Sequence, residues 1–386
     1  MTAAQLTWPQ AIGRRLARHH LVEPAPAGDM VRVASDICGA HAQVAASAEL
    51  MLGVRLQNVT RHDVRLAMWE RRTLVKTVGL RGTLHIFPAG EVPMWMAGTR
   101  LRLEAEERRL DKAGVDLDEL HSVVAAITDI VGPTPISRPE LERELESRVG
   151  GGWAVTQNEG WMASYKNWPL ALRWAAAHGA VCYGPGEGGR STFVRLADWN
   201  GGWRAVDAMD GGRFALRRFL HAYGPSTHAE FSRWFGVEPP ITRSLFDSIA
   251  GELAEVEVEG SRRWSLESDL GADAEPHPDC VQLLPHFDVF VVGSHPRSVL
   301  MEPESPVTRL SPGTAAPFAV LLVGGRVAGV WDRKPKGKRL FIRVDAHRSL
   351  NRRQREAVEE RAARVAHVLE RECELEFGEV ALRPHA

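Results

Sequence analysis

The sequence predicts an α+β protein in which three helix-rich units, each closed by a short pair of strands, precede a mostly β module. Three observations support this prediction. Helical periodicity gives way to a strand pair three times before residue 271, the turns between helices carry Gly-Pro or a capping residue, and the remainder is divided into short strands by Gly and Pro. The 386 residues are 44% hydrophobic and 25% charged, which is ordinary for a folded protein.

Composition and charge exclude several classes of protein. The longest uncharged apolar run, residues 315–325, has the length of a strand, far below the roughly 20 residues of a membrane span. Residues 1–21 hold no continuous apolar stretch, so we expect no signal peptide, a cytoplasmic location and no membrane partner. A formal net charge of -1 excludes a uniformly basic protein but allows a local basic patch.

The first unit, residues 1–115, combines helices with a strand pair. Apolar residues have helical spacing over 8–20 and again over the Ala-rich stretch 44–56. Residues 74–86 are β-branched and interrupted by two glycines, which predicts two strands joined by a turn. Helices followed by a small hairpin are the components of a winged helix, a variant of the helix-turn-helix.

The same order of elements recurs twice. In residues 116–205, two helical segments flank a Gly-Pro-Thr-Pro turn, and Ser137 and Glu140 have the spacing of a capping box. In residues 206–271, a helix, a Gly-Pro-Ser-Thr turn, a second helix and a strand pair follow one another. We therefore predict three tandem winged-helix units.

Residues 272–386 form the predicted β module. Gly and Pro separate four strand-like segments, at 281–292, 318–322, 325–331 and 340–344. One long charged amphipathic helix is predicted over 353–372, with Arg and Glu at intervals of three and four residues.

Common catalytic and metal signatures are missing. The sequence has no GxxxxGK[ST], no GxSxG, no HExxH and no GxGxxG that joins a strand to a helix, which argues against nucleotide hydrolysis, serine hydrolysis and zinc proteolysis. Its four cysteines lack the paired spacing of a zinc site. We expect reduced thiols, no metal and no other cofactor.

Several separated blocks together carry a family resemblance. They are ICGAHAQ at 37–43, LRGTLHIFP at 80–88, YGPST at 223–227 with RWFG at 233–236, and LPHFD at 284–288 with GRVAGVW at 325–331. They resemble the tandem winged-helix proteins that include the AlkZ-type DNA glycosylases. The resemblance spans nearly the whole chain. It implies a C-shaped clamp around DNA, excision of bulky alkylated purines such as natural-product adducts, and in some members the unhooking of interstrand crosslinks.

The resemblance also implies a catalytic element. In that family two polar residues flank an apolar one, often as Gln-apolar-Gln, and the matching positions here are His41, Ala42 and Gln43. Histidine in the first position departs from the usual pattern and resembles the variant of some self-resistance subfamilies.

The chemistry of these residue types agrees with such a role. If residues 40–43 are extended, His41 and Gln43 face the same side and can address one lesion. The Gln43 amide can hold a water, and a neutral His41 can orient it or accept its proton. An alkylated purine carries positive charge and leaves easily, so a strong carboxylate base is not required. The alternative is that both side chains only satisfy backbone groups near a helix start.

Two basic segments are candidate DNA contacts. Residues 61–81 hold six basic and two acidic residues, enough for a face that follows phosphates. The candidates there are Arg72, Lys76 and Arg81. Thr83 and His85 are two further candidates, two positions apart on a predicted strand. The alternative for this pair is an exposed strand face without function. The second segment has five cations in seven residues, suited to a hairpin that enters a groove or clamps the backbone: Arg333, Lys334, Lys336, Lys338 and Arg339. Its alternative is a solvated turn.

Asp288 is a candidate for supporting the site electrostatically, and its alternative is a buried structural aspartate.

The sequence leaves two functions of different class: a monofunctional DNA glycosylase, or a non-catalytic winged-helix regulator. Regulators of that type usually dimerise and present one recognition helix per subunit. Three units on one chain favour a monomer that binds double-stranded DNA carrying alkylated purines.

Overall fold

Helices dominate the first two thirds of the chain and strands the last third, which confirms a mixed α/β fold. The computed structural model describes residues 4–150, 157–159, 164–166, 168–187, 190–201, 203–271, 275–301 and 318–381. Within these ranges no helix has the length and apolar character needed to cross a membrane.

The helices have the following bounds: α1 Trp8–Arg18, α2 Met30–Asp36, α3 Ala45–Gly53, α4 Arg61–Trp69, α5 Val92–Lys112, α6 Leu117–Ile130, α7 Arg138–Val149, α8 Trp168–Ala177, α9 Leu196–Asn200, α10 Ala208–Tyr223, α11 His228–Phe235, α12 Pro239–Ser248, α13 Val289–Gly293 and α14 Arg352–Val368. Capping boxes begin several of them, among them α1, α7 and α14, because Thr7, Ser137 and Asn351 each exchange hydrogen bonds with the residue three positions on. The predicted box at Ser137 and Glu140 is thereby confirmed.

The strands have the following bounds: β1 Ala4–Leu6, β2 Ala40–His41, β3 Leu74–Val78, β4 Leu84–Pro88, β5 Ile136–Ser137, β6 Gln157–Glu159, β7 Ser164–Lys166, β8 Cys182–Glu187, β9 Arg190–Val194, β10 Leu253–Val258, β11 Ser261–Leu266, β12 Val281–Leu284, β13 Val320–Val323, β14 Arg326–Lys336, β15 Arg339–Ala346 and β16 Glu372–Phe377. The strand pairs predicted at 74–86 and in the third helical segment are present as β3–β4 and β10–β11, both antiparallel.

Residues distant in sequence combine into two units. The first unit comprises Met1–Arg65, Arg217–Phe231 and Ile249–His385, and the second comprises Leu66–Leu216 and Ser232–Ser248. The first unit therefore contains both the His41 motif and the C-terminal strands. The predicted domain boundaries at residues 115, 205 and 271 stay predictions.

A five-stranded sheet forms the centre of the first unit. Its order is β12-β13-β14-β15-β16, antiparallel except for the parallel pair β15–β16, which α14 connects. The helix buries Val358, Ala362 and Val365 in the core shared with the sheet, and α1 and α3 add Ile12 and Leu50 to it. This packing places the start of the chain against its last third.

One predicted strand of this unit is partly wrong. The segment expected over 281–292 is a strand only as far as Leu284, and the helix α13 follows at Val289. Pro285 interrupts the strand, and the Asp288 carboxylate accepts a hydrogen bond from the Phe290 backbone N–H at 2.9 Å. This N-cap starts a helix where apolar residues alone indicate a strand.

The second unit has a separate core. Helices α6, α7 and α8 pack together through Val123, Ile127, Leu141, Leu172 and Trp168. The strands β8 and β9 form an antiparallel pair, and β5 extends it on the β9 side.

Candidate active site

The His41 motif lies where the chain passes from a strand to a helix. His41 ends β2, Gln43 lies in a bend, and α3 begins at Ala45. The extended segment expected over residues 40–43 is therefore shorter than predicted, because the backbone turns at Gln43 to enter the helix. Because Gln43 lies outside β2, the alternation of side chains along a strand does not set the orientation of Gln43 relative to His41.

The two motif side chains differ in exposure. His41 is 8% exposed, whereas Gln43 is exposed to solvent. The His41 ring packs against Phe287, with centroids 5.4 Å apart and ring planes tilted by 38°. Packing thus orients the imidazole, while Gln43 is exposed at the surface.

Phe287 is itself held in an uncommon backbone conformation. Its φ is 58°, in the left-handed region that few residues other than glycine adopt. The next residue, Asp288, binds Arg55 through two hydrogen bonds, from Nη1 to Oδ2 at 2.9 Å and from Nη2 to Oδ1 at 2.7 Å. Both side chains are fully buried. Because Arg55 closely follows α3, this pair connects the motif helix to the loop that carries Phe287.

Asp288 is therefore buried and ion-paired, as the alternative interpretation of a buried structural aspartate describes. Its carboxylate caps α13 and neutralises Arg55, which also donates to the Met51 carbonyl oxygen at 2.8 Å. A second buried carboxylate, Glu49 on α3, is paired with Arg61 and Arg65. Both carboxylates are engaged in ion pairs, so neither offers a ready general base.

The five cations of the basic hairpin divide between two faces of the sheet. Lys334 and Lys336 lie opposite Phe341 and Arg339 on one face, and Arg333 lies opposite Ile342 on the other. Arg333 is half-buried, and its guanidinium lies 5.9 Å from the centroid of the Trp331 ring. Burial, and then the Arg61 cation, lowers the pKa of Arg333, while Glu49 opposes this change.

The hairpin tip is exposed. A two-residue turn of Gly337 and Lys338 joins the paired residues Lys336 and Arg339, and Gly337 has a positive φ of 57° as such turns require. Lys334, Lys336 and Lys338 are exposed, as is Arg339, whose Nη1 lies 2.6 Å from Glu374 Oε1. The tip therefore presents a group of exposed lysines.

The candidate contacts of the second unit also touch other groups of that unit. The Arg72 guanidinium lies 4.0 Å from the centroid of the Trp199 ring and donates to the Trp199 carbonyl oxygen at 3.2 Å. Lys76 Nζ lies 5.3 Å from the centroid of the Tyr183 ring. These cation–π contacts hold both side chains in defined positions.

The remaining three candidates are less accessible. Arg81 donates to the Trp234 carbonyl oxygen, and Thr83 Oγ1 donates to Leu80 O at 2.9 Å. His85 is 1% exposed and stacks on Phe87 with centroids 5.4 Å apart. His85 thus lies on neither an exposed strand face nor an open surface. The DNA contacts of Arg72, Lys76, Arg81, Thr83 and His85 stay predictions.

Neither the cysteines nor a metal cluster contributes an obvious reactive group. Burial raises the pKa of Cys182 to about 12 and raises those of Cys280 and Cys373 above their ordinary value, which disfavours thiolates at neutral pH. In the described ranges, no group of three His, Cys, Asp or Glu side chains is arranged to hold a metal.

Sequence reasoning missed three residues around the motif. Glu49 and Arg55 carry no signal beyond their charge, and Phe287 stands out only as part of a block that resembles the family. Their contacts join positions 41 with 287 and 55 with 288. No local pattern indicates such pairs.

Comparisons with known proteins agree with the resemblance. The family described as DNA glycosylase AlkZ-like matches residues 34–368. The interstrand DNA cross-link repair glycosylase of Streptomyces sahachiroi is 32% identical over 350 residues, covering 84% of this chain and 88% of that protein. The solved structure of the Streptomyces sahachiroi DNA glycosylase AlkZ aligns with a TM-score of 0.78 at 25% identity, over 97% of this chain and all of that one. The chain belongs to the AlkZ-like DNA glycosylase family.

Proposed function

We propose that this DNA glycosylase excises bulky alkylated purines from double-stranded DNA by attack of water on the N-glycosidic bond. The observation that carries the proposal is the His41-Ala42-Gln43 motif, which lies at a strand-to-helix junction with a packed imidazole and a solvent-exposed Gln43. Family membership supports the enzyme over the regulator. The motif supports it as well, because a regulator does not need both polar side chains at these positions.

The proposed mechanism assigns different tasks to the two residues. The Gln43 carbonyl oxygen accepts a hydrogen bond from the attacking water, and its NH₂ group contacts the sugar or a phosphate. His41, oriented by Phe287, accepts the proton of that water as the bond breaks. The leaving purine already carries positive charge, so the reaction does not need a carboxylate general acid, and Glu49 and Asp288 can stay ion-paired.

The substrate class extends to crosslinked DNA. The Streptomyces sahachiroi relative is named for interstrand cross-link repair. A crosslink through an alkylated purine has the same N-glycosidic bond as a monoadduct, so the same two residues serve both substrates.

We further infer that tandem winged-helix units and the β module clamp the duplex as a monomer. The proposed contacts are Arg72, Lys76, Arg81, Thr83, His85, Arg333, Lys334, Lys336, Lys338 and Arg339. The exposed lysines of the hairpin tip and the ring-supported Arg72 and Lys76 favour this role most, because guanidinium and ammonium groups bind phosphates.

Single-turnover base release tests the proposal. A duplex with one defined alkylguanine adduct is incubated with wild type, His41→Ala, Gln43→Ala and the double variant, and abasic sites are scored by alkaline cleavage. We expect each single change to slow release by about 10²-fold or more, since general base catalysis contributes roughly that factor. DNA affinity should be retained.

The matched control is Gln57→Ala, which removes another exposed glutamine of the same unit. It should leave release unchanged. Unaltered release in the double variant would make the motif structural. Tight duplex binding without release from small or bulky adducts would instead favour the regulator.

A further inference from the structure

Two arginines of the first unit are ion-paired with one buried carboxylate. The Glu49 side chain is 4% exposed, and its Oε1 lies 2.6 Å from Arg65 Nε while its Oε2 lies 3.2 Å from Arg61 Nε. A third arginine, Arg333 on β14, experiences the charges of both Arg61 and Glu49. We call these four residues the Glu49 cluster.

The Glu49 cluster carries excess positive charge. Three guanidinium groups and one carboxylate leave a net charge of +2, and arginine stays protonated even when half-buried. Like charges held together repel each other, so an arrangement of this kind favours an anion as an additional partner. Guanidinium forks match the oxygen atoms of a phosphate especially well.

The arginines are accessible to such an anion. The Arg61 side chain is 27% exposed and the Arg65 side chain 46% exposed. Arg61 contacts Glu49 through Nε, and Arg65 does so through Nε and Nη2, so the carboxylate fixes the inner edge of each guanidinium. The other N–H groups can donate to a second ligand, because each guanidinium has five N–H donors.

The Glu49 cluster lies close to the motif along the chain. Glu49 is six positions after Gln43, on the second turn of α3. The helix that begins directly after the motif therefore carries the carboxylate that holds Arg61 and Arg65.

We propose that Glu49, Arg61, Arg65 and Arg333 form a binding site for one DNA backbone phosphate near the damaged base. Glu49 is a positioning residue that aims the arginines, and the arginines contact the phosphate. This inference rests on the proposed function, because it takes the His41 motif as the position of the lesion.

The first test measures how the affinity for undamaged duplex depends on salt. Each phosphate contact contributes about 0.9 to the slope of log K against log salt concentration. Arg61→Ala/Arg65→Ala and Arg333→Ala should each lower the magnitude of that slope by about one. The control Arg352→Ala, whose side chain is 92% exposed on α14 of the same unit, should not change it. Unchanged slopes in the cluster variants overturn the proposal.

The second test locates the phosphate. Single neutral methylphosphonates are placed at successive positions of an adduct-bearing duplex, and affinity is measured for wild type and Arg61→Ala/Arg65→Ala. Wild type should lose affinity at one position near the adduct, and the variant should lose nothing further there. A flat profile in wild type, or equal losses in both proteins, contradicts a defined phosphate site.

Glu49→Gln separates positioning from simple charge. The substitution removes one negative charge, so charge alone predicts tighter binding and an unchanged methylphosphonate profile. A positioning role predicts that the position-specific loss disappears while the fold, checked by thermal unfolding, is retained. An unchanged profile would assign no positioning role to Glu49. If base release is absent but the salt and methylphosphonate results hold, the phosphate site stands and the glycosylase proposal fails.

Discussion

Single residues govern the surroundings of His41 through a buried ion pair. Asp288 and Arg55 are both fully buried. Phe287, which precedes Asp288 and has a positive φ, packs against His41. Breaking a buried pair leaves an uncompensated charge. The position of the imidazole therefore depends on the ion pair formed by the residue next to Phe287.

Asp288→Asn should lower the free energy of unfolding by about 3–5 kcal/mol, because Arg55 would stay buried without its counter-charge. Base release by the folded variant should also slow, since Phe287 loses its anchor beside His41. Urea unfolding and single-turnover release measure the two effects.

The double variant Arg55→Gln/Asp288→Asn is the control, because it removes both charges and should recover part of the stability. Release at the wild-type rate in folded Asp288→Asn would remove Asp288 from the support of the site.

At the scale of elements, the β14–β15 hairpin converts a run of cations into two different surfaces. Alternation along β14 places the half-buried Arg333 on one face of the sheet and leaves Lys334 and Lys336 exposed on the other, with Lys338 at the turn. Charge density alone suggests one continuous basic loop. Strand geometry divides it into a half-buried site and an exposed tip.

Lys334→Ala/Lys336→Ala/Lys338→Ala should weaken duplex binding at low salt and lower the salt-dependence slope by about 0.9 for each phosphate that the variant no longer binds. Stability should change by less than about 0.5 kcal/mol per substitution, because the side chains are exposed. Fluorescence anisotropy across a salt series measures the slope. The control is Arg326→Ala, because Arg326 is exposed at the other end of the same strand. A slope in the triple variant equal to that of wild type would exclude the tip from DNA binding.

The stability of the whole chain should depend on pH through a histidine of the first unit. His19 is 0% exposed and packs edge-on against Tyr223 and Phe290, with ring centroids 4.9 and 5.4 Å away. Burial, and then the Arg55 cation, lowers the pKa of His19 well below its ordinary value of 6.5. The folded protein therefore holds this imidazole neutral.

Stability should fall as pH drops below about 6.5, because the unfolded chain then binds a proton that folded His19 does not. Each pH unit in this window corresponds to about 1.4 kcal/mol. Urea unfolding between pH 7.5 and 5 measures the slope. His19→Gln should flatten it even if stability at neutral pH decreases, and an equally steep slope in that variant would assign the effect to other groups.

The sequence by itself determined the family, the mixed α/β fold, most helices and strand pairs, and the motif at His41 and Gln43. These features are local, because periodicity, capping residues and short motifs are contained within a few turns of chain. The errors were local as well: Asp288 starts a helix inside a predicted strand, and the backbone bends at Gln43.

Only the tertiary structure decided which partners surround the motif. Arg55 and Asp288 are 233 positions apart, and Phe287 reaches His41 from the same distant loop. The half-buried position of Arg333 and the exposure of Lys334 likewise depend on strand register. Burial and register set these contacts, and neither property is encoded in the spacing of residues along the chain.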